Sequence, residues 1–256
     1  MSKKQEKEVI SKRQARKEEL RRKERQQRVI VLVVIATVAL VIIGFIIVPT
    51  VQNVLKPGGD FIKITPMAYS TAQGTSLGNP DAKVKVMVFE DYKCSACKNY
   101  TQAVEPQIIK ELAETGRIHY TFYQYPFLDD RAQVKDSDHS ASASLCAADQ
   151  GKFWDYKGIL FANQNLTSGE FSSERLIAFA DSLSMDMNEF KSCLQQNPHQ
   201  QRIDEEIVLG EQMGITGTPT IFVNGKNVSP EKVPTYEMIQ QAVAEAETGT
   251  LSTPAP

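Results

Sequence analysis

Cys94-Ser95-Ala96-Cys97 sets two thiols three positions apart, a spacing that serves two kinds of chemistry. One thiolate can attack a disulfide while the second thiol reaches the mixed intermediate and releases it. The same spacing makes half of a tetrahedral zinc site. Zinc needs two more ligands, yet Cys146 and Cys193 stand singly, and none of His119, His139 or His199 forms a spaced ligand pair with them. The pair therefore reads as a redox dithiol, with no metal and no organic cofactor implied. Cys94 is expected as the attacking nucleophile, because a helix N-terminus favours the thiolate. Cys97, one turn further in, is expected as the resolving thiol.

A dithiol of this kind needs a strand to end at it and a helix to begin at it. Lys83-Val84-Lys85-Val86-Met87-Val88-Phe89 starts with period-two alternation and becomes continuously apolar, which predicts a strand entering a buried sheet. From Cys97 to about Glu114 the pattern is helical, with Val104, Ile108, Ile109 and Leu112 on one face and a kink or break at Pro106. Residues 119–127 are aromatic and β-rich. Residues from about 138 to 213 read almost wholly helical, with breaks near residues 165–169, Met185 and Pro198. Trp154 is expected in an amphipathic helix that packs its aromatics into the core, rather than in a substrate groove. Gly217-Thr218-Pro219-Thr220 then leads into Thr220-Ile221-Phe222-Val223, and Asn224-Gly225 predicts a tight type I′ hairpin. Tyr236, Ile239, Ala242, Val243 and Ala246 form the stripe of a last helix. Strands thus bracket a helical insertion.

The charge is divided along the chain. Residues 1–28 hold twelve Lys/Arg and five Glu, a net +7, against a total of −2, so the remainder carries −9. Residues 29–48 come next without a single charge, and at 1.5 Å rise per residue they span about 30 Å, the thickness of a bilayer core. A cleavable signal peptide has a shorter apolar run and a small-residue cleavage site; Val48-Pro49-Thr50-Val51-Gln52 offers none that convinces, so an uncleaved anchor is expected. The Lys/Arg excess on its N-terminal flank keeps residues 1–28 in the cytoplasm and exports the chain beyond the span. The basic arm alternates with Glu and lacks aromatics, so nucleic-acid binding is not expected. All four cysteines fall on the exported side, where disulfides persist. A structural bridge between Cys146 and Cys193 is expected there, with a second redox relay as the alternative.

Three blocks in order resemble the bacterial DsbA-type branch of the thioredoxin superfamily: Phe89-Glu90-Asp91-Tyr92-Lys93-Cys94-Ser95-Ala96-Cys97, then Leu145-Cys146-Ala147-Ala148-Asp149-Gln150-Gly151-Lys152-Phe153-Trp154, then residues 214–225 around Gly217-Thr218-Pro219-Thr220. The resemblance covers roughly residues 75–248. It implies an α/β thioredoxin-like fold with a helical insertion, redox activity at Cys94 and Cys97, a cis Pro219, and a Thr218 that helps to bind substrate backbone. It also implies exported cysteine-containing proteins as substrates and a membrane quinone-linked oxidoreductase as re-oxidising partner. Two positions depart from the branch. Its members often carry Pro followed by an aromatic or His between the cysteines, where this chain has Ser95-Ala96. The carboxylate that thioredoxins place six residues before the first cysteine is here Val88. Glu90 shares the strand face of Val88; it is read as a solvated strand-end carboxylate, with a substitute proton acceptor as the alternative.

The expected organisation is a cytoplasmic basic segment over 1–28, a transmembrane helix over 29–48, an extracytoplasmic stalk and lead-in over 49–74, a thioredoxin-like domain over 75–248 with its insertion at about 138–213, and a loose tail over 249–256. The expected activity is an extracytoplasmic oxidant of exported proteins. A reductase or isomerase fed by a membrane electron donor, and a non-catalytic tethered binding module, are the alternatives.

Overall fold

The computed structural model describes residues 21–23, 25–28, 30–45, 58–131 and 135–251. The first twenty residues, the end of the apolar run with the stalk as far as residue 57, and residues 252–256 of the tail lie outside the described residues. Two units are distinguished, Met1–Lys56 and Pro57–Pro256. In the first, helix α1 (Arg21–Phe45) has a mean hydropathy of 2.9 over its most apolar window, long and apolar enough to cross a membrane. Among the described residues it reaches upstream of the apolar run into the basic arm.

The second unit is built on a five-stranded sheet of order β1-β3-β2-β4-β5. Strand β2 (Val84–Glu90) pairs parallel with β3 (Ile118–Gln124) and antiparallel with β4 (Thr220–Val223). Strand β1 (Ser76–Gly78) adds antiparallel to β3, and β5 (Lys226–Asn227) closes the hairpin with β4. Asn224 and Gly225 both have positive φ at that turn, the backbone that a type I′ connection demands. Strand β2 is central, which accounts for its apolar run: Val84, Val86, Val88 and Phe89 are all fully buried.

The chain leaves β2 into α2 (Ser95–Ala103), and α3 (Glu105–Ile108) follows with Pro106 in its first turn. A proline lacks the N–H that a continuous helix needs at that point, so the helix breaks at Val104. One π turn, Ile109–Ala113, ends the segment. Between β3 and β4 lies the helical insertion, α4 (Asp136–Asp149), α5 (Phe153–Asn163), α6 (Ser173–Ser182), α7 (Met187–Gln196) and α8 (Gln200–Gln212); α9 (Tyr236–Thr248) ends the fold. The break between α4 and α5 at Gln150-Gly151-Lys152 is not anticipated by the sequence pattern; Gly151 supplies the positive φ it requires.

Helix α5 departs from the amphipathic expectation because it is buried nearly all round. Nine of its eleven residues are buried. Phe153 packs edge-on against Phe122 of the sheet at 5.2 Å between ring centroids, and Trp154 lies against Tyr120 on one side and Tyr69 on another. Tyr69 belongs to the lead-in, residues 58–73, which is part of the packed unit. Its backbone at Ile62 exchanges two hydrogen bonds with the Asn163 amide, at 2.7 and 2.8 Å. Met67 N–H donates to Asp155 at 3.0 Å, and Thr71 donates to Glu114 at 2.6 Å. This strap covers the face of α5 that would otherwise meet solvent.

Candidate redox site

Strand β2 ends at Glu90, and Asp91 turns the chain toward α2. The Asp91 carboxylate is buried and accepts from Lys93 N–H, Ser137 Oγ and Leu128 N–H at 2.7, 2.8 and 3.1 Å. Burial lifts its pKa to about 6 against those hydrogen bonds. Cys94 is the N-cap of α2, with extended backbone and no side-chain capping bond. Its carbonyl accepts from the Gln164 amide at 3.0 Å, so the end of α5 fixes the first turn from behind. Lys93 is held by Glu170 at 2.5 Å, Asp136 at 3.5 Å and the Thr167 carbonyl at 2.7 Å. The dithiol therefore hangs from a rigid strand end pinned on two sides.

Both dithiol cysteines are free thiols, Cys94 half-buried and Cys97 fully buried. The loop before β4 comes across to meet them, and the Thr218–Pro219 peptide bond is cis. Cys94 Sγ lies 3.2 Å from the Thr218 carbonyl oxygen, across 124 residues of sequence. The Thr218 hydroxyl is buried and makes no well-aligned hydrogen bond within the fold, but it lies near enough to both sulfurs to favour a thiolate.

The two sulfurs are driven apart in acidity. The Cys94 pKa falls to about 5, chiefly because Cys97 Sγ–H donates to it; burial opposes this, and the Thr218 hydroxyl and the N–H groups of Cys97 and Ala96 add to the lowering. Burial pushes Cys97 well upward, assisted by its bond to Cys94 and by the nearby charge of Glu90. At neutral pH the pair is one thiolate and one thiol.

Glu90 overturns the reading of a solvated strand-end carboxylate. It is fully buried, because α2 and α5 close over the end of β2. Its Oε1 lies 3.2 Å from Lys157 Nζ and its Oε2 accepts from Thr101 at 3.1 Å. Lys157, on α5, also reaches Glu105 at 2.5 Å. Burial raises the Glu90 pKa, Lys157 resists, and Glu105 adds to the rise. Burial disfavours the Lys157 ammonium, but Glu105 and Glu90 together hold it charged. Lys157, Glu105 and Thr101 are buried neighbours of Glu90 that sequence reasoning misses; the one available signal is a lysine inside the apolar run Tyr156-Lys157-Gly158-Ile159-Leu160-Phe161.

The other two cysteines stand elsewhere, in α4 and α7. Cys146 and Cys193 are joined by a disulfide with Cα atoms 5.8 Å apart. His199 sits with both sulfurs in a group whose donor atoms lie within 4.8 Å of one another. The sulfurs are spent on each other, so this group cannot serve as a metal site while the bridge stands.

A thioredoxin family model matches residues 70–245. The chain belongs to the thioredoxin family. Among its relatives, the probable disulfide bond formation protein D of Bacillus anthracis is 28% identical over 209 residues, covering 80% of this chain and 89% of that one. Disulfide bond formation protein D of Bacillus subtilis is 28% identical over 75% of this chain and 84% of its own length. The crystal structure of oxidised BdbD from Bacillus subtilis superposes with a TM-score of 0.60 at 26% identity, covering 75% of this chain and all of the other. Within the thioredoxin family this chain is a DsbA-type thiol–disulfide oxidoreductase.

Proposed function

We propose that Cys94 and Cys97 are the redox pair of an enzyme that introduces disulfides into exported proteins, with Thr218 and Pro219 receiving the client backbone. A client thiolate attacks Cys94 of the oxidised pair, forming a mixed disulfide and releasing Cys97, which takes up a proton. The client's second thiolate then attacks its own sulfur in that mixed disulfide, and Cys94 leaves as a thiolate. When no second client thiol arrives, Cys97 resolves the intermediate and returns the client reduced.

The observation that carries this direction is the low pKa of Cys94 beside a protonated Cys97. A stabilised thiolate is a good leaving group and favours the reduced enzyme, so electrons flow from client to enzyme. The Cys146–Cys193 bridge is assigned a structural role, since its two helices belong to the insertion. The thioredoxin-like domain is assigned to residues 75–248, with its helical insertion at about 138–213 and the lead-in strap packed against it. Helix α1 is assigned as a single-pass anchor with the N-terminus cytoplasmic, which keeps the enzyme beside a membrane quinone-linked partner that re-oxidises it.

The deciding measurement is the reduction potential of Cys94/Cys97 against glutathione. A value near −120 mV, typical of strong oxidases, supports the assignment, and one near −270 mV, typical of thioredoxin, assigns a reductase instead. A Cys97→Ala variant should accumulate mixed disulfides with exported clients through Cys94.

A further inference from the structure

The Cys146–Cys193 bridge is not the first state of this chain. Every copy leaves synthesis with both sulfurs as thiols, and the bridge is added afterwards. The fold keeps the two positions facing each other without it. The Gln150 amide donates to the Asp186 carbonyl at 3.1 Å, and Asp186 N–H donates back to the Gln150 side-chain oxygen at 2.8 Å. These two residues cap the C-terminus of α4 and the N-terminus of α7. At the far end of α7, Asn197 takes a left-handed backbone that turns the chain toward α8. Its side-chain oxygen accepts from Ser142 of α4 at 2.7 Å.

That turn brings a third donor to the sulfurs. His199 is the N-cap of α8, and a ring nitrogen and both sulfurs all lie within 4.8 Å of one another. The Asp149 carboxylate borders the group: its Oδ2 stands 2.8 Å from His199 Nε2 and 3.8 Å from Cys193 Sγ. Cys146 and Asp149 are three residues apart on α4, so they share a face of that helix. The fold thus assembles two sulfurs, an imidazole and a carboxylate where linear spacing shows no ligand pair.

Tetrahedral zinc, with bonds of about 2.0–2.3 Å, needs its donors roughly 3.3–3.8 Å apart. Two separate thiols settle near that spacing, and the Asp149 side chain is 53% exposed, able to widen its contact with the imidazole. Cys146 is buried, but Cys193 and His199 are only half-buried, so the group is open on the side of α7 and α8. Two sulfurs beside an imidazole select zinc over calcium or magnesium, which take oxygen ligands.

We propose that the reduced form of the insertion holds a zinc ion on Cys146, Cys193, His199 and Asp149, which ties α4 to α7 until the bridge replaces it. As the metal binds, each thiol gives its proton to solvent, so two S–H bonds are exchanged for two Zn–S bonds and two protons leave. No electron moves in this step. The site is separate from Cys94 and Cys97 and does not depend on the direction of their exchange.

The test uses the full chain in detergent, reduced by a phosphine under argon, with Cys94→Ser and Cys97→Ser introduced so that the other dithiol binds no metal. Cobalt(II) is the probe. It should bind in a 1:1 ratio with a sulfur-to-cobalt charge-transfer band, be displaced by zinc and be unaffected by excess calcium. Affinity should fall with pH, as the release of two protons requires. His199→Ala should weaken binding by about a hundredfold and Asp149→Asn by about tenfold. The bridged protein should show no band. Zinc should also raise the thermal midpoint of the reduced protein, because it favours the folded state that assembles the donors. Where reduction alone unfolds the insertion, zinc should restore its helical circular dichroism. Cobalt binding no tighter than in a Cys146→Ser/Cys193→Ser control, or parent affinity in His199→Ala, overturns the site. So does a midpoint lowered by zinc, the mark of thiols that bind metal only in the unfolded chain.

Discussion

A thiol that is ionised at neutral pH is both an available nucleophile and a ready leaving group, and Cys94 owes that state to groups within a few ångströms. Monitoring thiolate absorbance of the reduced protein against pH should therefore give a midpoint near 5 for Cys94; a midpoint near the 8.5 of an ordinary cysteine contradicts the geometry. Thr218→Val keeps the shape and removes a hydroxyl that lies near both sulfurs without a well-aligned bond, so the midpoint should rise by about half a pH unit, the ~0.7 kcal/mol of a weak contact. The same titration across both proteins decides it. At this scale the residue types are legible where they recur in a local pattern: the two cysteines, and Thr218-Pro219 ahead of a strand. Glu90 is misread from sequence because its environment is made by Lys157, 67 positions away, and by Glu105. A buried charge is defined by its neighbours in space, and nothing in the local spacing of Glu90 announces them.

Periodicity carries the elements that are long and have one solvent face. Strand β2, the hairpin at Asn224-Gly225, the break before Pro106 and the stripe of α9 are all visible in this way. Strand β1 is not, since Ser76-Leu77-Gly78 is too short to establish a period. Its end is nonetheless strictly constrained: Gly78 has φ +91°, and a Cβ there would stand 2.1 Å from the Ile118 carbonyl oxygen. Gly78→Ala combines a disfavoured backbone with a clash against the neighbouring strand, and should cost at least about 2 kcal/mol in denaturant unfolding. Helix α5 is misjudged as amphipathic for a related reason. Its outward face is covered by the lead-in strap, an irregular segment with no pattern of its own.

At the scale of the whole molecule, two terms separate cleanly. The Cys146–Cys193 bridge closes a loop with a sequence separation of 47, so replacing both cysteines by serine should cost about 4 kcal/mol on the chain-entropy model. The loss is read by urea unfolding, with the Cys94/Cys97 potential expected to stay where it was. The second term is linkage at Cys94. Its folded pKa is depressed, so the thiolate contributes stability that is complete above the unfolded value of about 8.5 and disappears as pH falls through about 5. The oxidised protein has no such group. The advantage of the reduced over the oxidised form in thermal unfolding should accordingly be nearly gone at pH 4 and largest between about pH 8 and 8.5, above which Cys97, held protonated in the fold, subtracts from it; contributions shared by both forms cancel. An advantage that grows on acidification contradicts the assignment.

The lead-in strap also decides how the packed unit responds to mechanical load. Tension applied to the chain just before Gly58 meets first the Arg175 guanidinium bonded to the Gly58 carbonyl at 3.0 Å, then the paired bonds between Ile62 and Asn163, then Met67 on Asp155. These fastenings lie in series and are loaded one at a time, as in peeling tape, whereas the strands behind them share load in parallel. The seam that opens first under tension is thus the one along α6 and α5, and the sheet that carries Cys94 is the last part to feel the pull.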